Sequence, residues 1–303
     1  TIEDGDMALV SALLGASLGV TIPLMAGDSE FEHAGGGLVL GASTGLLGGL
    51  IYDHLSEVSL ADSSLTLAAT AAGGFLGGGL ALLLPNTQEQ LAGALLTTFT
   101  LTGYGAMTWA APKLEFVGGD TLLTFGAMAI GGFIGGTIPG LAYGNSEEFT
   151  NTFGGSIAGT ALGFASGLTL SQFSNHDTPD VAEGLFMTSL GSALGYGAGA
   201  LAGQTHTSVQ TRRLLSIAGT GLGIGAGFML ADQTTYTSED YWLTSYLGAF
   251  GGFQGAWLPA LGATGDTAGT ATAGGAMVGS VLGVTSGMLL SQYASFTYDD
   301  VNE

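Results

Sequence analysis

The sequence predicts an all-α protein, a multi-span bundle of about ten helices built from five tandem helical hairpins of about 60 residues. Three observations lead to this prediction: glycine recurs at every fourth position, the chain repeats itself five times, and long apolar windows carry no charged residue. Glycines four residues apart lie on one face of a helix and form a ridge without side chains. Another backbone can approach closely along such a ridge, so we expect glycine-zipper packing between paired helices.

The glycine stretches supply the candidate helix-packing residues. They are Gly37, Gly41, Gly45 and Gly49; Gly155, Gly159, Gly163 and Gly167; Gly219, Gly223 and Gly227; and Gly275, Gly279, Gly283 and Gly287. Between the first two sets lies a degenerate copy, which has threonines at 97, 98, 100 and 102 and no glycine tetrad. Fourfold spacing of small residues favours right-handed crossings near about −40°.

A second motif sets the period of the repeat. It reads Gly-Gly-Phe at 131–133 and at 251–253, with a proline eight residues after the first glycine, and its front half recurs at 73–75. Its leading glycines, at intervals of 58, 58, 60 and 60 residues, are Gly15, Gly73, Gly131, Gly191 and Gly251. Such regularity predicts one repeat domain over 1–303, with hairpins at about 1–60, 61–116, 117–180, 181–237 and 238–303.

Each period therefore holds two helices. The odd-numbered helices are predicted at roughly 6–26, 64–85, 121–143, 184–203 and 241–261. The even-numbered helices are predicted at roughly 34–52, 90–111, 149–173, 213–231 and 270–294. Turn residues such as Pro85-Asn86 and Gly144-Asn145 separate them.

The composition excludes several classes of protein. There are 56 Gly but only 6 Pro in 303 residues, and the glycine spacing is four, so collagen is excluded. With 46% hydrophobic residues the chain is too apolar for a disordered protein. A net charge of −21, from 24 acids and 3 bases, opposes nucleic-acid binding. The chain begins at Thr1 rather than Met, as expected of a processed protein or of a piece of a longer one.

The distribution of charge indicates membrane spans. No charged residue occurs between Asp62 and Glu89, and several other windows are comparable. About 20 apolar residues suffice to cross a bilayer, so we predict ten crossings. This topology would place 17 of the 24 acids on one side of the membrane. In water, glycine inside a helix costs about 1 kcal/mol relative to alanine. In a bilayer the backbone must hydrogen-bond to itself and therefore stays helical, and glycine then lets two helices pack closely.

No residue set predicts catalysis, a cofactor or a metal site. The four histidines, His33, His54, His176 and His206, lack the spacing of metal ligands. Acid pairs such as Glu147-Glu148 are at most weak calcium ligands. The sharpest polar signal is Gln254, which falls in the middle of a predicted span and is a possible intramembrane polar residue.

Three function hypotheses follow. The first is a non-enzymatic integral membrane protein, a structural or scaffold subunit of a larger envelope assembly, with the outer membrane as one location. The second is a channel or transporter with a path lined by small residues that passes Gln254. The third is a soluble, self-assembling extracellular protein of zippered helical hairpins. The expected partners are the lipid bilayer and other protein subunits or further copies of the chain, and not nucleic acid.

Overall fold

The computed structural model of the protein describes residues 6–26, 31–55, 59–84, 87–114, 116, 118–143, 149–173, 178–202, 209–230, 233–234, 236, 238–261 and 268–293. These residues form ten α-helices and one short 3-10 helix, and no strand occurs among them. In chain order the helices are α1 (Asp6–Met25), α2 (Phe31–Leu55), α3 (Leu60–Leu83), α4 (Glu89–Ala110), α5 (Gly118–Tyr143), α6 (Phe149–Ser171), α7 (Thr178–Ala202), α8 (Val209–Leu230), α9 (Ser238–Ala260) and α10 (Ala268–Tyr293). The predicted all-α class and the number of helices are confirmed.

The odd-numbered helices α3, α5, α7 and α9 begin between three and six residues earlier than the sequence indicated. An aspartate is the third residue of each of them, and a carboxylate is favourable in the first turn because the helix dipole is positive there. At α3 the Ser59 hydroxyl accepts a hydrogen bond from the Asp62 amide at 3.1 Å, and the Asp62 carboxylate accepts one from the Ser59 amide at 3.1 Å. This capping box fixes the start of the helix.

Consecutive helices pair as hairpins, as predicted. Helix α1 contacts α2, α3 contacts α4, α7 contacts α8 and α9 contacts α10. Helices α5 and α6 approach each other backbone to backbone at Gly131 and Gly159. The hairpin is therefore the repeated structural element of the chain.

The chain forms two compact units. The first contains α1 to α6, apart from Gly140–Tyr143 at the end of α5, and the second contains α7 to α10. Within the first unit α1 contacts α3 and α4, and α3 contacts α6. Within the second unit α7 contacts α10. In both units, then, an odd-numbered helix packs against the even-numbered helix of the following hairpin.

Small and hydroxyl-bearing residues make up much of the interior, while many large apolar residues lie outside. The buried polar side chains include Ser63, Thr66, Thr188 and Thr220, each at most 3% exposed. A buried hydrophobic cluster of the first unit combines four alanines with three larger side chains; it consists of Leu65, Ala69, Ala72, Met107, Ala111, Ala161 and Phe164. Such an arrangement is typical of helix bundles in lipid, where small residues let backbones approach.

Seven helices are long and apolar enough to cross a membrane. The apolar stretches within them are Gly35–Tyr52, Ala61–Leu83, Gly119–Ala142, Phe149–Ser171, Thr178–Ala202, Val209–Leu230 and Ala268–Tyr293. Helix α1 has a shorter apolar stretch, Met7–Pro23. Hydroxyls lower the hydropathy of α4, and polar and aromatic residues lower that of α9. The described residues thus support seven spans, whereas the sequence predicted ten.

Candidate functional site

The glycines that the sequence singled out for helix packing on the even-numbered helices face the backbone of their hairpin partner. In the third hairpin a methyl group at Gly159 would overlap the carbonyl oxygen of Gly131, and its carbon would lie 2.9 Å from the Gly135 Cα. Four residues later, a methyl group at Gly163 would lie 2.8 Å from the carbonyl carbon of Ala127. We call this line of backbone contact the seam of the hairpin; at its glycines no side chain would fit.

The other hairpins have a seam in the same register. The opposed residues in the first hairpin are Gly37 and Gly19, Gly41 and Gly15, Gly45 and Ser11, and Gly49 and Ala8. Those in the third are Gly155 and Gly135, Gly159 and Gly131, Gly163 and Ala127, and Gly167 and Thr124. Those in the fourth are Gly219 and Gly191, Gly223 and Met187, and Gly227 and Gly184. Those in the fifth are Gly275 and Gly255, Gly279 and Gly251, Gly283 and Leu247, and Gly287 and Thr244.

The second hairpin keeps the seam although α4 lacks the tetrad. Here the glycines lie mainly on α3: Gly73 faces the carbonyl of Phe99, and Gly77 faces the carbonyl of Leu95. Gly103 of α4 faces the carbonyl of Ala69. One glycine at each level is therefore sufficient for the close approach, which is why the degenerate copy still forms a hairpin.

The aspartates at the helix starts form a repeat that the sequence analysis missed. Asp62, Asp120, Asp180 and Asp240 each precede the leading glycine of their helix by eleven residues, so they share its intervals of 58, 60 and 60. Asp120 and Asp240 are 7% and 6% exposed. The fifth member of the series, Asp4, lies outside the described residues. The constant interval was the signal that could have revealed them as helix-start residues rather than loop charges.

Hydroxyl groups connect the first two hairpins. The Thr97 hydroxyl of α4 donates a hydrogen bond to the Thr21 hydroxyl of α1 at 2.7 Å, and both side chains are buried. The Ser11 and Tyr104 hydroxyls of the same two helices lie 2.9 Å apart. These contacts satisfy polar groups inside the unit, and in a bilayer they would join helices where no water is present.

We expect the threonine pair to contribute a measurable coupling energy. Thr21→Val and Thr97→Val each preserve the shape of the side chain but leave the other hydroxyl without its partner. A double-mutant cycle on unfolding of the purified protein should give a coupling of about 0.6 kcal/mol, and at most about 1.7 kcal/mol. The exposed Thr102, which bonds only to its own helix at Thr98, provides the control, and a coupling of zero would contradict the interhelical role.

In the second unit, the buried carboxylate of Glu183 has a polar partner. Its side chain is 5% exposed, and the Thr234 hydroxyl lies 2.7 Å from both carboxylate oxygens. Glu183 lies near the start of α7, close to Asp180 in the preceding turn. This contact gives a buried carboxylate near the start of a helix a hydrogen-bond donor, and the acid beside it, Asp180, belongs to the same helix start.

Gln254 lies on an exposed part of α9, beside the exposed Phe253. It lines a groove of about 410 Å³ between α9 and α10, together with Gly251, Gly255 and Ser286. That position differs from the interior placement that a path through the bundle would need. The first hairpin carries a groove of about 680 Å³ at the equivalent place along its seam.

The remaining candidate sites are not brought together. Among the described residues, no three His, Asp or Glu side chains are close enough to hold a metal ion. His54 is exposed at the end of α2, and His176, His206 and Glu147-Glu148 lie outside the described residues.

At the end of α4 the Lys113 ammonium lies 3.3 Å above the centre of the Trp109 ring, and Trp109 is 71% exposed. An aromatic residue with a cation at a helix end is typical of a membrane interface.

Comparison with known proteins gives no relative. No protein-family model matches the chain, no curated protein matches it in sequence, and no solved structure matches it in fold. The function must therefore be inferred from the geometry of this chain alone.

Proposed function

We propose that this protein is a non-enzymatic integral membrane scaffold, a structural subunit of a larger envelope assembly. The observation that carries the proposal is the distribution of side chains: large apolar groups face outward on nearly every helix, while backbone seams and hydroxyl contacts lie in the interior. A protein that folds in water buries most of its large apolar residues, whereas a protein in a bilayer can expose them to the lipid.

The exposed apolar surface makes lipid the favoured surroundings. Among the described residues, 44 large hydrophobic side chains are exposed, most of them by about half of their surface. Since full burial of one such side chain is worth about 1.5–3 kcal/mol, transfer of all of them out of water would be worth on the order of 40 kcal/mol. This is the free energy by which a bilayer favours this outer surface over water.

A scaffold role is favoured over transport because the seams leave little open space along the hairpin axes. Glycine backbones meet where a path would have to run, and Gln254 lies on the outside of α9. The buried acids Asp120 and Asp240 lie in the first turns of their helices, and Glu183 lies in the second turn of α7, so all three are near helix starts and suited to helix-terminal contacts rather than to a proton relay across the membrane.

Membrane partitioning of the full chain tests the proposal. We expect the protein to float with membranes, to resist extraction by alkaline carbonate and to require detergent for purification. A monodisperse particle obtained without detergent would instead support the soluble, self-assembling alternative. Purified protein in liposomes should conduct no ions, and flux that is lost in Gln254→Leu would support the channel alternative.

A further inference from the structure

The contact between successive hairpins has the same geometry in both units. In the second unit a side chain at Gly274 of α10 would lie 2.8 Å from the Ala200 Cβ of α7 and 2.9 Å from the Gly197 carbonyl oxygen. In the first unit a side chain at Gly154 of α6 would lie 3.0 Å from the Gly79 carbonyl oxygen of α3. Gly154 and Gly274 occupy the same place in their hairpins, five residues before the seam glycines Gly159 and Gly279.

Helix α9 exposes the face that an odd-numbered helix uses for this contact. Trp257 takes the place of Gly79 and Gly197, six residues after the leading glycine of its helix. It belongs to a stripe of large residues along one face of the helix and the residue after it, each between 53% and 78% exposed. The stripe consists of Trp242, Tyr246, Phe250, Phe253, Trp257 and Leu261.

Helix α2 exposes the complementary face. Gly36 takes the place of Gly154 and Gly274, and a side chain at Gly35 or Gly36 would meet no atom within 4 Å. One turn later on the same face Leu40 is 71% exposed. Gly35 and Gly36 thus form a stretch of helix surface without side chains, which we call the recess, at the level where the register places Trp257.

We propose that α9 of one copy packs against α2 of a second copy, continuing the contact between hairpins from one molecule to the next. The two faces are the unused halves of an interface that occurs within both units, and the register sets the exposed Trp257 opposite the recess at Gly35 and Gly36. This inference rests on the proposed scaffold role and names its partner. Because the two faces differ, the association is head-to-tail, so it produces a ring or an open filament.

Cysteine cross-linking tests the contact, because the chain contains no cysteine. By the register, Leu261 and Gly36 correspond to Leu201 and Gly274, where the Leu201 amide nitrogen lies 3.1 Å from a side chain placed at Gly274. The purified Leu261→Cys and Gly36→Cys proteins are mixed in detergent, left until their subunits have exchanged, and then oxidised. We expect a covalent dimer that contains one chain of each kind.

The matched control replaces Leu261→Cys with Met229→Cys, which is 74% exposed on α8 and lies off both faces. We expect at least about tenfold less of the mixed dimer in this control. An equal yield in the two mixtures, or no mixed dimer in either, would overturn the proposal. The proposal would also be overturned if a chain that carries both cysteines forms only an intramolecular disulfide.

Two further variants test the recess itself. Trp257→Ala should weaken association at least about thirtyfold, since an interface tryptophan is typically a hot spot. Gly36→Leu should weaken association by filling the recess while leaving the hairpin intact, because the site is open within its own chain. Association unchanged in both variants, measured by analytical ultracentrifugation in detergent, would refute the interface. A soluble protein that still cross-links would refute the membrane role alone.

Discussion

Gly219→Leu is expected to separate α7 from α8, whereas Gly221→Leu, two residues further along the same helix, is expected to leave the hairpin intact. A side chain at Gly219 would overlap the carbonyl oxygen of Gly191 and would lie 3.2 Å from the Gly195 Cα. At Gly221 no atom lies within 4 Å. Backbone cannot rotate away as a side chain can, so the helices must move apart and lose the contacts along the whole seam.

The expected effects differ in sign as well as in size. Overpacking of a close contact typically costs about 1–3 kcal/mol, and loss of the seam adds to this at Gly219. At Gly221 a leucine gains about 1 kcal/mol of helix propensity. Thermal unfolding of the two purified variants in the same detergent, followed by circular dichroism, measures the difference. Equal midpoints for the two variants would show that the seam does not hold the hairpin together.

The repeat made the hairpins predictable. The leading glycines at 58- and 60-residue intervals gave the number of helices and their pairing, because a regular period fixes how many elements each copy holds. The helix starts were less accessible, since the predicted odd-numbered helices begin only after the acidic residues Asp62, Asp120 and Asp240. Asp62 shows that a charged residue can belong to the first turn of a helix. Its carboxylate accepts a hydrogen bond from the Ser59 amide and so caps α3.

Other features depend on two helices at once and could not be read from one stretch. The second hairpin needs glycine at each level of its seam, but Gly73 and Gly77 of α3 supply it opposite Phe99 and Leu95. Only the register across the hairpin reveals this. Likewise, the position of Gln254 in the middle of a helix does not determine which face it occupies, and in the structure it lies beside the outward stripe of α9.

Arginine substitution along α8 should show whether its outer surface faces lipid. Leu222 and Met229 are 76% and 74% exposed, so they are matched in exposure, but Leu222 is near the middle of Val209–Leu230 and Met229 is at its end. Leu222→Arg should cost about 2.5–3.5 kcal/mol of insertion free energy, as expected for a charge at the centre of a span. Met229→Arg should cost only a fraction of that, because its side chain reaches the headgroups.

The measurement is the fraction of full-length protein that resists carbonate extraction after expression in membranes. Leu222→Arg should lower this fraction relative to the parent protein, and Met229→Arg should leave it nearly unchanged. In water both exposed positions would tolerate arginine within about 0.5 kcal/mol. Equal behaviour of the two variants would therefore argue for an aqueous outer surface, while dependence on depth would require a bilayer around α8, since burial within the protein is the same at both sites.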